Sequence, residues 1–155
     1  MRNVIILFAA LFFCTNPAFA GDPGQDFWTL VEIRKENWEI DDQATKIAAD
    51  LRAGNLTAAQ AETLWQILHR KTEKLRDRSE PFESGEQPEV AREVTKMLRL
   101  QNLRLEGLIE AAQVESKSGI EAARPLWNEQ LQSYKAYQAQ EQKVLDLMNW
   151  VEENP

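Results

Sequence analysis

The first candidate for chemistry in this sequence is its single histidine, His69. His69 and Glu73 are four positions apart, so on a helix they would lie one turn apart and could share a metal ion. Two ligands leave a metal site incomplete, and no Glu-x-x-His pair of the di-iron bundle type is present. A Ser/His/Asp or Cys/His catalytic set would also depend on this one histidine. The sequence therefore predicts no metal site, no cofactor and no catalytic residues. His69 is interpreted as a histidine on a helix surface beside an acid.

Paired carboxylates are the remaining source of acid/base chemistry. Glu32 with Glu36 and Glu106 with Glu110 are four positions apart, where like charges on a helix repel each other mildly. Such a pair can serve as general acid and base only in a cleft that gives the two groups different environments. Solvated helix faces explain them better, so a carboxylate-based cell-wall hydrolase is kept only as an alternative.

Thiol chemistry is excluded by the position of the only cysteine. Cys14 lies in a segment typical of a secretory signal peptide, with a basic start, an apolar run at residues 4–13 and small residues before a cleavage point after Ala20. The run is shorter than the roughly 20 residues of a membrane-spanning helix. Phe13 is bulky where lipoprotein processing needs a small residue before the cysteine. We therefore expect residues 1–20 to be removed and the protein to be periplasmic or secreted.

The charge of the remaining chain limits its partners. Residues 21–155 contain 17 basic and 25 acidic residues, a formal charge of −8, and no cysteine. An acidic chain disfavours nucleic acid and anionic membrane surfaces and favours basic partners. Stability must come from an apolar core because no disulfide is available, and about 135 residues is a normal size for one domain.

The elements that position these side chains are helices. Apolar residues recur at spacings of three and four, and no stretch alternates as a strand does. The sequence predicts an all-α fold: an elongated bundle or long helical hairpins, with about four helices in a single domain at residues 21–155. The first helix begins near Asp26, with Asp41 as a point where it could restart. Gly54 is suited to the left-handed turn that follows a helix.

The second helix has the clearest start signal. Thr57 and Gln60 form a predicted capping box with Leu56 as the staple residue, and the helix should run to about Arg78. Residues 79–88 contain two prolines and a glycine and form the long connection, which we expect to be the most mobile segment.

The third and fourth helices follow the prolines. Pro88 suits a first helical turn, and the apolar seam after it is joined by a second strip containing Leu100 and Leu103. Two strips predict a helix that is covered on more than one face, as in a bundle or a dimer. Residues 116–119 break the pattern, and Pro125 should lie in the first turn of the last helix or kink it.

The segment Leu56-Thr57-Ala58-Ala59-Gln60 fits an LTxxQ pattern and follows a signal peptide in a small helical protein. In this it resembles the Spy/CpxP-type periplasmic stress proteins. The resemblance implies long curved helical hairpins, often dimeric, that bind unfolded clients or an envelope sensor. It assigns structural roles to Leu56, Thr57 and Gln60. The sequence carries one such motif where the family usually has two, and its acidic balance differs from the basic client-binding surface of that family.

These observations predict an exported, non-catalytic helical binding protein, either chaperone-like or adaptor-like. Its partners would be proteins, basic or unfolded, with a homodimer as a further alternative and no stable membrane insertion. An acidic inhibitor or immunity-type protein of a basic secreted enzyme is the second alternative. Tryptophan is enriched at binding hot spots, and the second apolar strip of the third helix offers a further surface to a partner. The candidate partner-binding residues are Trp28, Trp38, Trp65, Trp127, Leu100 and Leu103.

Overall fold

The computed structural model describes residues 24–154, and the predicted signal peptide lies outside them. The described part is an all-α bundle of four long helices without a strand, as the sequence predicts. The helices are α1 (Gln25–Arg52), α2 (Ala58–Ser79), α3 (Pro88–Ser118) and α4 (Ile120–Glu153). At about 1.5 Å per residue, their 22 to 34 residues correspond to lengths of roughly 33 to 51 Å, so the bundle is elongated.

Each helix runs antiparallel to the next. The late part of α2 reaches the early part of α1 through Arg78 and Glu36, whose atoms Nη1 and Oε1 are 2.8 Å apart. Near the start of α4, the indole of Trp127 bonds to Glu115 near the end of α3. Between these two pairs, Gln113 near the end of α3 donates to Glu62 near the start of α2, so α2 and α3 are antiparallel as well. Helices α1 and α3 are therefore parallel, and α4 runs antiparallel to α1, which it contacts through long side chains without close approach of the two backbones.

Helix boundaries follow local backbone chemistry. Thr57 Oγ1 accepts the backbone N–H of Gln60 at 3.3 Å, and the side-chain oxygen of Gln60 accepts the N–H of Thr57 at 2.9 Å, which confirms the capping box. Gly54 has φ 76°, in the left-handed region, directly after the cap of α1. Gly119, with φ 83°, is the single residue between α3 and α4.

One expectation about these elements is corrected, and one connection has more structure than the sequence indicates. Helix α1 is continuous through Asp41, which is buried in the bundle instead of restarting the helix. The connection after α2 contains a 3-10 helix at Glu80–Ser84, and Phe82 packs against the core. Pro125 lies inside α4, at its sixth residue. The connection at residues 79–88 therefore contains a short helix that packs on the bundle, and its expected mobility stays a prediction.

The core is a continuous apolar cluster to which all four helices contribute. Its largest fully buried side chains include Trp65 from α2, Phe27 from α1, Met97 from α3 and Tyr137 from α4. Burial of such side chains supplies the main favourable free energy of folding, at about 1.5–3 kcal/mol for each large apolar residue. Buried polar side chains interrupt this core on all four helices, among them Asn37 and Asp41 on the side of α1 that faces α4.

Candidate functional site

The facing surfaces of α1 and α4, here called the α1/α4 seam, meet through polar side chains. The amide of Asn37 donates a hydrogen bond to the hydroxyl of Tyr137 over 2.8 Å, and both residues are buried. Asp41 accepts a hydrogen bond from the guanidinium of Arg104, which enters from α3. Arg104 also lies over the ring of Tyr134, 4.2 Å from its centroid. We call Asn37, Asp41, Arg104 and Tyr137 the polar bridge.

Burial sets the protonation of the groups around this bridge. It raises the pKa of the Tyr137 hydroxyl above its usual range, and the nearby carboxylates of Asp41 and Glu141 raise it further. Tyr137 therefore keeps its proton and accepts the Asn37 hydrogen bond as a neutral group. Burial also raises the pKa of Glu141, against the opposing charge of Arg34 and with the charge of Asp41. Acidic and basic side chains therefore lie close together in and beside the polar bridge, where they are partly removed from water.

On one side of the polar bridge the seam opens into a groove of about 730 Å³, here called the larger groove. Its volume is within the range of ordinary ligand sites. Its polar lining comes from Thr45, Arg52, Arg104, Glu115, Asn128 and Gln130. Its apolar lining comes from Ala48, Leu51, Leu108, Ile120, Trp127, Leu131 and Tyr134.

Three of these side chains determine how the larger groove meets solvent. Leu131 is 61% exposed and Ile120 is 52% exposed, although both are large and apolar. Trp127 is held in the wall, because its ring packs against buried Trp65 with a centroid distance of 5.9 Å and its Nε1–H donates to Glu115 over 2.8 Å. The groove therefore has a fixed inner wall and an open apolar rim.

On the other side of the polar bridge lies a cavity of about 260 Å³, here called the smaller cavity. Arg34 and Glu141 face each other there, with Arg34 Nη2 and Glu141 Oε1 3.8 Å apart. The indole of Trp38, which is 56% exposed, forms one wall. The other lining residues are Gln138, Gln142 and Leu145. This cavity is more polar than the larger groove.

The predicted partner-binding residues are distributed over different places. Trp127 lines the larger groove and Trp38 lines the smaller cavity. Trp65 is fully buried in the core, with its Nε1–H donated to the carbonyl of Ala44, so it has no surface to offer to a partner. Leu100 is partly buried against the core. Trp28, which is half-exposed, and Leu103, which is exposed, line neither opening.

The residues proposed for chemistry do not converge on either opening. The glutamates of both acid pairs are exposed on the outer faces of α1 and α3. His69 lies between two of the acids, with Nε2 3.2 Å from Glu106 and Nδ1 3.6 Å from Glu73. Within residues 24–154, no group of three or more His, Cys, Asp or Glu residues is arranged to hold a metal ion.

Several seam residues were missed because their role depends on packing between distant segments. Arg104 lies 63 positions from its partner Asp41, and Asn37 lies 100 positions from Tyr137. One signal was present in α4, where Glu141 interrupts an apolar face that includes Leu131. A charged residue on an otherwise apolar helix face indicates either a partner inside the bundle or an opening there.

Comparison with protein-family models, with curated proteins and with solved structures finds no match to this chain. None of the helices in the described range combines the length and the apolar character needed to cross a membrane.

Proposed function

We propose that this is an exported, non-catalytic binding protein that takes up an amphipathic helical segment of a protein partner along the α1/α4 seam. The observation that supports the proposal most is the larger groove, whose apolar walls end in the exposed side chains of Leu131 and Ile120. An open apolar groove between helices suits the apolar face of a further helix. Covering these side chains would remove apolar surface from water, at about 25 cal/mol per Å².

An elongated partner is favoured because both openings lie on one line. Arg34 and Trp38 in the smaller cavity and Thr45 and Arg52 in the larger groove are separated by 4, 7 and 7 positions, so they share one face of α1. From Arg34 to Arg52 the seam is roughly 27 Å long at 1.5 Å per residue, which matches a helix of about 18 residues. A small molecule would fill only one opening.

Binding without catalysis fits the chemistry of the seam. Asp41 is held by Arg104, so this carboxylate is already committed to a structural ion pair. The acid pairs lie on exposed helix faces and not in a cleft that could assign them acid and base roles. Glu36 and Glu106 are also paired with Arg78 and His69. The groups left for the larger groove are mainly apolar surfaces, which bind a ligand but transfer no proton.

The experiment uses purified residues 21–155 and a synthetic helical peptide of about 18 residues, the length of the seam. The peptide has leucines at helical spacings of three and four, alanines between them, and equal numbers of Lys and Glu. Calorimetric titration should give saturable binding that is lost when the leucines are scrambled over the same composition. Absence of binding by the patterned peptide would contradict the proposal.

A matched pair of variants locates the site. Leu131→Gln removes an apolar side chain from the rim of the larger groove, and Leu103→Gln removes an equally exposed leucine, at 59%, from the outer face of α3. We expect Leu131→Gln to weaken peptide binding about tenfold, the effect of losing one anchor side chain of about 1.4 kcal/mol, and Leu103→Gln to leave it unchanged. Equal effects of the two variants would place binding elsewhere.

A further inference from the structure

The α1/α4 seam is an open interface between two helices. Helices α1 and α4 contact each other through long side chains such as Asn37 and Tyr137, and the larger groove stays open between them. Exposed apolar side chains border the seam on both helices, Trp38 on α1 and Leu131 and Ile120 on α4. In a four-helix bundle, two such helices face a second pair across a shared apolar core. The seam therefore has the form of one half of a four-helix interface.

Charged side chains along the seam alternate in sign on each helix. The contact of Arg34 with Glu141 shows which residues of α1 and α4 lie at the same height, and the register extends along both antiparallel helices. From one end of the seam to the other, α1 carries a positive, a negative and a positive residue, and α4 carries the opposite sign at each height. Arg104 and Glu115, which line the larger groove, are bonded within the same chain. The pairs at equal height, here called the charge rows, are Arg34 with Glu141, Asp42 with Lys135, and Arg52 with Glu121.

The middle pair of the charge rows, Asp42 and Lys135, is exposed at the rim of the seam. Asp42 lies four positions after Trp38 and Lys135 lies four positions after Leu131, so each follows a residue that lines an opening by about one helical turn. Within residues 24–154 neither takes part in an ion pair. The charge rows hold three residues of each sign, although residues 21–155 carry a formal charge of −8. The seam is therefore a face on which two copies of an acidic chain can meet without local repulsion.

We propose that two copies of this chain form a dimer through the α1/α4 seam, related by a two-fold axis that runs parallel to the helices. This axis places α1 of each copy on α4 of the other, so both charge rows meet residues of opposite sign. Asp42 then faces Lys135 of the other copy, and the contact occurs twice. Neighbouring helices are antiparallel all around the interface, as in an up-and-down four-helix bundle, and the apolar rims close over both larger grooves. An unrelated helix would have to reproduce this pattern in its own sequence, whereas a second copy supplies it by symmetry.

The charge rows also select the direction of the axis. A two-fold axis perpendicular to the helices would pack α1 on α1 and α4 on α4. Centred on the seam, it would place Arg34 against Arg52 of the other copy, and Glu141 against Glu121. Contacts between like charges are unfavourable, and Arg124, which pairs with Glu121, offsets only the second of them. The axis parallel to the helices brings opposite charges together at all three heights.

The area of the seam is sufficient for a dimer of modest affinity. The seam is roughly 27 Å long and about 20 Å wide, the width of two helices with their side chains. It therefore covers about 550 Å² on each copy and about 1,100 Å² on both, slightly above the roughly 1,000 Å² expected of a specific interface. Stable dimers usually bury more, so we expect a dissociation constant in the micromolar range. The proposed function uses the same surface, so a bound partner segment and a second copy exclude each other.

Sedimentation velocity of purified residues 21–155, at concentrations below and above the micromolar range, tests the dimer. We expect a reversible equilibrium of monomer and dimer without larger species, since a two-fold interface closes on itself. Leu131→Gln changes the seam in both copies, so it should weaken the dimer about a hundredfold, twice the free-energy effect of losing one anchor side chain. Leu103→Gln, at a similarly exposed leucine on the outer face of α3, should leave the dimer unchanged.

Charge reversal tests how the two copies are arranged. Lys135→Glu and Asp42→Lys each bring like charges together at two places, and each should weaken the dimer about tenfold. Their combination restores opposite charges and should return the dissociation constant to within about twofold of the parent value. Net charge alone predicts a different result, because Asp42→Lys makes the chain less acidic and should then strengthen the dimer. Both positions are exposed, and circular dichroism of each variant checks that the fold is retained.

Three results would overturn the dimer. A monomer at every concentration would exclude it, and equal effects of Leu131→Gln and Leu103→Gln would place the interface on another face. Opposite effects of Lys135→Glu and Asp42→Lys would show that net charge, and not the charge rows, governs association. A monomer that binds the patterned peptide would leave the proposed function standing, whereas a seam dimer that binds no peptide would overturn the proposed function alone.

Discussion

At the scale of single residues, the polar bridge depends on the ion pair of Asp41 and Arg104. The side chains are 13% and 6% exposed, so both charges are largely removed from water. Their attraction offsets the desolvation cost only while both are present. Gln101 and Thr45 supply further hydrogen bonds to the guanidinium, and the ring of Tyr134 covers it.

Asp41→Ala should therefore be strongly destabilising. It leaves the Arg104 guanidinium buried without a carboxylate, and we expect the free energy of unfolding in urea to fall by about 3 kcal/mol. The adjacent exposed residue provides the control, since Asp42→Ala should change it by less than about 0.5 kcal/mol. Equal effects of the two variants would contradict a buried pair.

The double variant Asp41→Leu with Arg104→Met extends this prediction. Replacing both charges with apolar groups of similar size removes the desolvation cost together with the attraction, and such replacements are often neutral or stabilising. We expect most of the stability lost in Asp41→Ala to be present in the double variant. A double variant as unstable as Asp41→Ala would show that packing, not charge, accounts for the loss.

At the scale of elements, the hairpin of α3 and α4 depends on one glycine. Gly119 has φ 83° and ψ 168°, a conformation that is almost restricted to glycine, and it is the only residue between the two helices. The turn fixes how α4 returns along α3 and brings Glu115 and Trp127 together. A side chain here is strained even though no neighbouring atom would obstruct it.

Gly119→Ala should lower the free energy of unfolding by about 1–3 kcal/mol, the cost of holding a residue with a Cβ in this region. Urea denaturation of the variant and of Ser118→Ala, a substitution one position earlier within helical backbone, provides the comparison. We expect little change for Ser118→Ala. If Gly119→Ala were as stable as the parent protein, the backbone of the turn between α3 and α4 would have to adopt another conformation.

The elements were predictable from sequence to the extent that local chemistry defines them. Thr57 and Gln60 cap α2, Gly54 follows α1, and a break before α4 was expected at residues 116–119. The site was harder to predict from the sequence. An aspartate that interrupts a helix pattern, as Asp41 does, looks the same in the sequence whether it faces solvent or pairs with a buried arginine. That pairing depends on how α1, α3 and α4 pack, and apolar periodicity describes one helix at a time.

At the scale of the whole molecule, four helices and no disulfide within residues 21–155 leave stability to one shared core. The residues of this core come from every helix, from Phe27 in α1 to Val151 in α4. A helix of this bundle cannot leave without exposing the apolar faces of its neighbours. Small single domains of this kind usually unfold in one cooperative step.

We expect one unfolding transition for residues 21–155, identical with and without a thiol reductant. Far-UV circular dichroism reports all four helices. Among the five tryptophans, buried Trp65 and its neighbour Trp127, which join α2 to α4, change their surroundings most on unfolding and should dominate the change in fluorescence. Because both probes follow the same core, their urea midpoints should coincide. Separate midpoints, with part of the helix signal lost before the tryptophan pair is exposed, would contradict a single domain. Such a result would mean that α1 or α4 unfolds first and that the α1/α4 seam opens independently of the rest of the bundle.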